Sequence, residues 1–168
     1  MSGYRFERLK ILVVDDNVHM RKLVVTILQA FGVKQVFEAD SAERAWTTLR
    51  EVNPDVIVLD WVMEGKSGLE LARMIRTMPE APNAFVPLIM LTGYTSANHV
   101  RQARDAGVNE FIAKPVAAKT MMARLVSVIE YPRPFVRTDV YFGPCRRRRA
   151  NEEYKGPERR TMAQQAAE

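Results

Sequence analysis

Three carboxylates, a hydroxyl and an ammonium stand at the ends of apolar runs in this chain. Asp15 and Asp16 follow Leu9-Lys10-Ile11-Leu12-Val13-Val14, and Asp60 closes Pro54-Asp55-Val56-Ile57-Val58-Leu59. Thr92 ends the run that begins at Val86, and Lys114 follows the run from Val108 to Ala113. A short aliphatic run bounded by turn signals reads as a strand buried on both faces. The carboxyl ends of such strands form the edge where open α/β sheets keep their chemistry. Three carboxylates brought to one edge repel by ~4 kcal/mol per pair at ~4 Å and an effective dielectric of ~20. They call for a cation, and an all-oxygen pocket suits Mg²⁺. A carboxylate is also a nucleophile able to form an acyl phosphate. Lys114 and the Thr92 hydroxyl supply the donors that a transferred phosphoryl group needs. Asp60 is the candidate acceptor.

Those residues need a frame, and the sequence spells one out. After the strand at Leu9–Val14, Asn17 caps a helix whose apolar face is Met20, Leu23, Val24, Ile27, Leu28 and Phe31, and Gly32 stops it. Val33–Ala39 is a second strand, and a helix follows from Ser41 to Asn53-Pro54. The third strand ends on Asp60. Glu64 to Gly68 is a loop, and Leu69–Met78 a helix that Pro79 and Pro82 terminate. A strand over Val86–Thr92, a helix over Ser96–Ala106, a strand over Val108–Ala113 and a helix over Ala117–Ile129 complete the pattern. Five strands alternating with helices predict a doubly wound, five-stranded parallel α/β sheet with right-handed crossovers, its first and third strands adjacent.

Composition sets outer bounds. A chain of 168 residues, 47% hydrophobic, holds one core with an appendage. No apolar run approaches the ~20 residues of a membrane span. The amino terminus carries no apolar stretch of signal-peptide length, so the expected location is cytoplasmic. A single cysteine, Cys145, excludes an internal disulfide framework and a cysteine-rich zinc site. His19 and His99 have no ligand-spaced partner and read as surface or helix-cap residues. Trp46 reads as packing, and Trp61 either as packing or as a border of the acidic pocket.

With these residues in place, the sequence resembles the receiver domain of two-component response regulators, a flavodoxin-like fold of the chemotaxis-regulator type. The resemblance covers roughly residues 8–130. It rests on Val13-Val14-Asp15-Asp16, Leu59-Asp60-Trp61, Leu91-Thr92-Gly93 and Lys114-Pro115. It implies that Asp60 takes a phosphoryl group from a phosphohistidine on a sensor histidine kinase or phosphotransfer protein. It also implies that Asp16, Asp60 and the backbone carbonyl of Val62 bind Mg²⁺ directly and Asp15 through water. Lys114 and Thr92 would contact the phosphoryl group, and Phe111 would be the aromatic switch. The bond before Pro115 is expected to be cis, and the fourth helix, fifth strand and fifth helix to recruit a downstream protein. Glu64 departs from the family pattern, where proline is common, and predicts a looser loop. Val62 and Tyr94 flank the line of water attack, and their bulk predicts slow loss of the phosphoryl group.

The expected domain limits are 1–130 for the receiver and 131–168 for an irregular, arginine-rich extension without a DNA-binding domain. The formal charge is +5, and nine basic residues face six acidic ones after Ile129. The extension contains an echo. Tyr141-Phe142-Gly143-Pro144-Cys145-Arg146-Arg147 and Tyr154-Lys155-Gly156-Pro157-Glu158-Arg159-Arg160 match at five of seven positions, thirteen residues apart. Arginine pairs bind phosphates bidentately and tyrosines add stacking surface. Tyr141, Arg146, Arg147, Arg148, Arg149, Tyr154, Arg159 and Arg160 are therefore candidates for an anion-binding tail. A solvated basic tail is the plain alternative. The arrangement resembles the arginine-rich extensions of receiver proteins that respond to cyclic di-GMP. Nonspecific nucleic acid and an acidic protein surface are the other ligands compatible with it.

Overall fold

The computed structural model describes residues 5–146. Five strands, β1 (Lys10–Val14), β2 (Gln35–Ala39), β3 (Val56–Asp60), β4 (Leu88–Thr92) and β5 (Glu110–Ala113), alternate with five helices. These are α1 (Val18–Ala30), α2 (Ala42–Val52), α3 (Gly68–Thr77), α4 (Ala97–Asp105) and α5 (Ala118–Glu130). The strands pair in parallel in the order β2-β1-β3-β4-β5. The chain leaves β1 toward one edge and returns past it to β3, so the topological switch lies between β1 and β3. That is where such sheets open a crevice at their carboxyl ends.

Every residue of β3 and β4 is buried, because helices cover both faces of the sheet. Alternation divides the aliphatics between two cores. Leu12, Val14, Ile57, Leu59, Leu88 and Met90 face one way, against Ala45 and Leu49 of α2 and Leu71 and Ile75 of α3. Ile11, Val13, Val56, Val58, Ile89 and Leu91 face the other, against Val24 and Leu28 of α1 and Met121 and Leu125 of α5. Leu23, expected on the buried face of the first helix, is exposed. The strands at β2, β4 and β5 start two residues later than the apolar runs do. Val33, Val86 and Val108 are buried without joining the ladder.

Local chemistry sets the helix starts. The Asn17 side chain accepts from the backbone N–H groups of His19 and Met20, and Ser41 from Arg44. Ser67 and Glu70 form a reciprocal capping box at the start of α3.

Beyond α5 the expectation of an irregular segment fails for the described residues. Strands β6 (Phe135–Thr138) and β7 (Tyr141–Pro144) form an antiparallel hairpin. It folds back onto the domain through an aromatic trio, Phe85, Phe135 and Phe142, with ring centroids 5.1 to 5.5 Å apart. Its approach needs two glycines face to face. A Cβ on Gly143 would lie 2.8 Å from the Gly107 Cα. Arg146 pairs with Asp105 at 2.9 Å, and the Arg133 guanidinium donates to the carbonyls of Cys145 and Asn109. The physical reason is local packing: three phenylalanine rings in mutual contact, two of them half-buried, and a glycine-to-glycine approach hold the segment despite its basic composition.

Beneath the hairpin lies Arg76, which is 4% exposed. Its guanidinium donates to the carbonyls of Gly107, Ala84 and Val86 and to Asn109 Oδ1, at 2.7 to 3.0 Å. The Phe135 ring covers it 5.0 Å away. Burial pushes this guanidinium down to about 9, still protonated at neutral pH.

Candidate functional site

The register of β1 against β3 (Val14 opposite Leu59) carries the two strands to adjacent endings. Asp15, Asp16 and Asp60 each present a carboxylate oxygen within 4.8 Å of the others. Asp15 and Asp60 are buried, while Asp16 faces solvent. At that separation and an effective dielectric of ~20, each like-charged pair repels by ~3 kcal/mol. Lys114 Nζ answers one charge, 2.7 Å from Asp60 Oδ1. The deficit shows at Asp15, whose carboxyl burial pushes above its ordinary range; the Asp60 and Asp16 charges add to this, while the Asn17 N–H bond opposes it. Asp15 Oδ1 accepts that bond at 2.8 Å. Its Oδ2 is buried without a hydrogen-bond partner. A buried carboxylate oxygen with no donor, beside two more carboxylates, fits a hard divalent cation.

Backbone contacts hold the pocket's walls. Asp16 Oδ2 accepts from the N–H of Glu64 at 2.8 Å, a bond that proline could not make. The loop expected to be loose is thus tethered to the acid cluster. The Trp61 carbonyl accepts from Gly68 N–H at 3.0 Å. Gly68 has to be glycine, because a Cβ there would stand 1.9 Å from the Asp60 carbonyl oxygen. The Lys114 N–H donates to the Thr92 carbonyl at 2.8 Å, locking β5's exit beside β4's. The Lys114–Pro115 bond is cis.

The Thr92 hydroxyl is turned to its own loop. It donates to the Tyr94 carbonyl and accepts from the Tyr94 N–H. Beyond it, Tyr94 stacks on His99 with ring centroids 4.7 Å apart and an interplanar angle of 13°. Trp61 meets the His99 ring edge-on at 5.5 Å. Ser96 Oγ holds His99 Nδ1 at 2.6 Å. Behind this trio is a crevice too narrow for a water molecule, bordered by Trp61, Thr92, Val100, Ala103 and Phe111.

The family model of the response regulator receiver domain matches residues 11–126. The chain belongs to the response regulator receiver family. It is 34% identical over 130 residues to chemotaxis protein CheY-3 of Vibrio cholerae, covering 77% of this chain and 98% of that protein. It is 32% identical over 124 residues to phosphate regulon transcriptional regulatory protein PhoB of Pseudomonas aeruginosa, covering 74% of this chain and 53% of that protein. The solved structure of Vibrio cholerae chemotaxis protein CheY4 aligns with a TM-score of 0.66 at 28% identity, covering 72% of this chain and 98% of that one. Receiver domains are phosphoacceptor signalling domains with an acidic pocket for Mg²⁺, and this receiver domain presents such an aspartate cluster.

The structure brings Asp15, Asp16, Asp60 and Lys114 together and sets Thr92 at the end of the neighbouring strand. Val62 lies in the adjoining loop with its side chain exposed, as is that of Tyr94. Phe111 is half-buried on β5. Sequence reasoning set aside His99, which belongs to the aromatic trio; its spacing from Ser96 on α4 was the available signal. Arg76 and Gly68 were missed as well. Of the tail candidates, Tyr141 and Arg146 are in contact, the guanidinium 4.4 Å above the ring. The Tyr141 hydroxyl donates to the Pro144 carbonyl. Arg147, Arg148, Arg149, Tyr154, Arg159 and Arg160 lie outside the described residues. No helix among the described residues is long and apolar enough to cross a membrane.

Proposed function

We propose that this chain is a single-domain response regulator that accepts a phosphoryl group on Asp60 from a phosphohistidine of a sensor kinase or phosphotransfer protein. The observation that supports it is the 2.7 Å contact of Lys114 Nζ with Asp60 Oδ1 inside the three-aspartate cluster. An Asp60 oxygen attacks phosphorus, the phosphorus–nitrogen bond breaks with its electron pair left on imidazole, and an acyl phosphate forms. Asp15, Asp16, Asp60 and the Val62 carbonyl are the residues that would hold Mg²⁺. When bound, that ion would offset the carboxylate charge and the charge on the phosphoryl oxygens. Lys114 transfers its ion pair from the carboxylate to the new phosphoryl group, which carries about −1.5 to −2 charges.

Thr92 then exchanges its bonds with Tyr94 for one to a phosphoryl oxygen. The crevice behind it is too tight to receive a ring until that exchange occurs, so the movement of Phe111 inward follows rather than precedes it. The face of α4, β5 and α5 changes and selects a downstream protein. Residues 1–130 form the receiver and 131–168 its extension. Bulk at Val62 and Tyr94 slows attack by water on the acyl phosphate.

The test is to incubate the full chain with acetyl phosphate and MgCl₂ and map the added mass. A phosphoryl group on Asp60, absent in Asp60→Ala and depleted in Lys114→Ala, is expected. Modification elsewhere, or none, overturns the assignment.

A further inference from the structure

Three rings from three elements meet beside the phosphoacceptor. Trp61 follows Asp60 at the exit of β3, Tyr94 lies in the loop after β4, and His99 stands in the first turn of α4. We propose that His99 is a positioning residue, one that clamps Tyr94 by stacking and so sets the lifetime of the acyl phosphate on Asp60. This rests on the reading of Asp60 as the acceptor, with Tyr94 shielding it from water.

Tyr94 is exposed, and an exposed loop side chain samples several rotamers unless a neighbour holds it. Two neighbours do. Thr92 holds the backbone, its hydroxyl donating to the Tyr94 carbonyl at 3.1 Å and accepting from the Tyr94 N–H at 2.8 Å. His99 holds the ring, parallel to within 13° with centroids 4.7 Å apart, a separation at which aromatic rings attract. The clamp is itself fixed. Ser96 Oγ, at the N-cap of α4, holds His99 Nδ1 at 2.6 Å. The buried Trp61 ring meets His99 edge-on at 5.5 Å and Tyr94 at 6.5 Å. The crevice behind the three rings has no room for water, so they cannot retreat inward.

The two holds on Tyr94 differ in when they act. Phosphorylation draws the Thr92 hydroxyl to a phosphoryl oxygen and cancels both of its bonds to Tyr94, just when the acyl phosphate needs protection. The stack on His99 involves neither Thr92 nor the phosphoryl group, and it persists. In hydrolysis a water oxygen bonds to phosphorus and the phosphorus–oxygen bond to Asp60 breaks, leaving its electron pair on the carboxylate. Inorganic phosphate and a proton depart. A tyrosine ring kept in place after its backbone tether is released obstructs that water; a ring set loose admits it.

The experiment is to phosphorylate the full chain with acetyl phosphate and MgCl₂, remove the donor, and follow loss of the added mass. His99→Ala should shorten the lifetime roughly two- to tenfold, the range that one aromatic pair can supply. His99→Phe restores a stacking ring without the Ser96 bond and should stay within about twofold of wild type. Asn98→Ala, an exposed neighbour on α4, should also stay within about twofold. In a Tyr94→Ala background His99→Ala should add nothing, because the two act as one unit. A lifetime that ignores His99→Ala, a His99→Phe protein as short-lived as His99→Ala, or an undiminished effect without the Tyr94 ring overturns the clamp alone. A wild-type chain that takes no phosphoryl group at Asp60 overturns the clamp together with the acceptor assignment.

Discussion

Gly68→Ala tests the geometry of the phosphoacceptor from outside its own side chain. The added Cβ would lie 1.9 Å from the Asp60 carbonyl oxygen, 2.9 Å from its carbon and 3.3 Å from Leu59 Cδ1. A carbon normally approaches a carbonyl oxygen to roughly 3.3 Å, so the two backbones must part by about 1.4 Å. Neither is free to move. Asp60 ends a fully buried strand paired to β4, and Gly68 begins α3 under a capping box while its N–H is bonded to Trp61. Overpacking at such a place costs ~1–3 kcal/mol, which for a chain of this length lowers Tm by roughly 2–12 °C. Displacement of Asp60 relative to Lys114 by ~1 Å should slow phosphorylation by roughly 100-fold. Differential scanning calorimetry gives the first quantity, and intact-mass time courses with acetyl phosphate and Mg²⁺ give the second. Gly93→Ala is the control, because a Cβ there meets nothing within 4 Å. A Gly68→Ala protein phosphorylated within about threefold of the wild-type rate would refute the claim that this contact positions the acceptor.

Arg76→Met removes four charged hydrogen bonds while keeping an apolar stem, and should cost ~3–5 kcal/mol, the range for breaking a buried charge network; chemical denaturation measures it, and a loss under ~1 kcal/mol would show the guanidinium to be dispensable. Because Arg76 binds the entry ends of β4 and β5 rather than their exits, the folded variant should still phosphorylate at Asp60. Asp15→Asn should raise the Tm of the metal-free protein and weaken its affinity for Mg²⁺. The sign follows from burial: with the folded pKa raised, the folded state retains a proton that the unfolded chain loses above about 3.8. The group's contribution to stability therefore declines as pH rises from there to the raised value and is flat beyond it. The wild-type minus Asp15→Asn difference in Tm, followed against pH in EDTA, checks this; a difference that does not change across that window contradicts it. Val62→Asn with Tyr94→Glu should shorten the lifetime of the acyl phosphate by roughly tenfold, since polar groups there orient the attacking water; an unchanged decay rate would remove steric shielding as the explanation.

What the sequence made legible was whatever depends on burial in a repeating frame. Strands covered on both faces read as uninterrupted aliphatic runs, so β3 and its terminal Asp60 could be placed from Val56-Ile57-Val58-Leu59 alone. The meeting of Asp15, Asp16, Asp60 and Lys114 then follows from strand order. Run ends were less legible, because Val33, Val86 and Val108 are buried in approach segments without joining the ladder. The hairpin escaped notice since its two-residue connection, Asp139-Val140, lacks the glycine that marks such turns. Flanking aromatic and β-branched residues (Phe135, Val136, Tyr141, Phe142) were the weaker trace it left. Arg76 left none, because most of its partners are backbone carbonyls, which any residue supplies. Gly68 and Gly143 read as loop glycines, whereas each is required by the close approach of another backbone.

The hairpin also changes the meaning of the tail's repeated motif. In its first copy, the glycine packs on Gly107, the tyrosine supports Arg146, and Arg146 pairs with the end of α4. The motif therefore works first as a clasp, delivering one guanidinium to the α4–β5–α5 face where Arg104, Arg124 and Arg133 already stand. Phe111, Val100 and Ala103 border both that basic cavity and the crevice behind Thr92. A Phe111 ring that moves into the crevice leaves the other hollow, so the two share one side chain. The first copy of the motif thus has a structural role in the described residues, holding the hairpin against the end of α4.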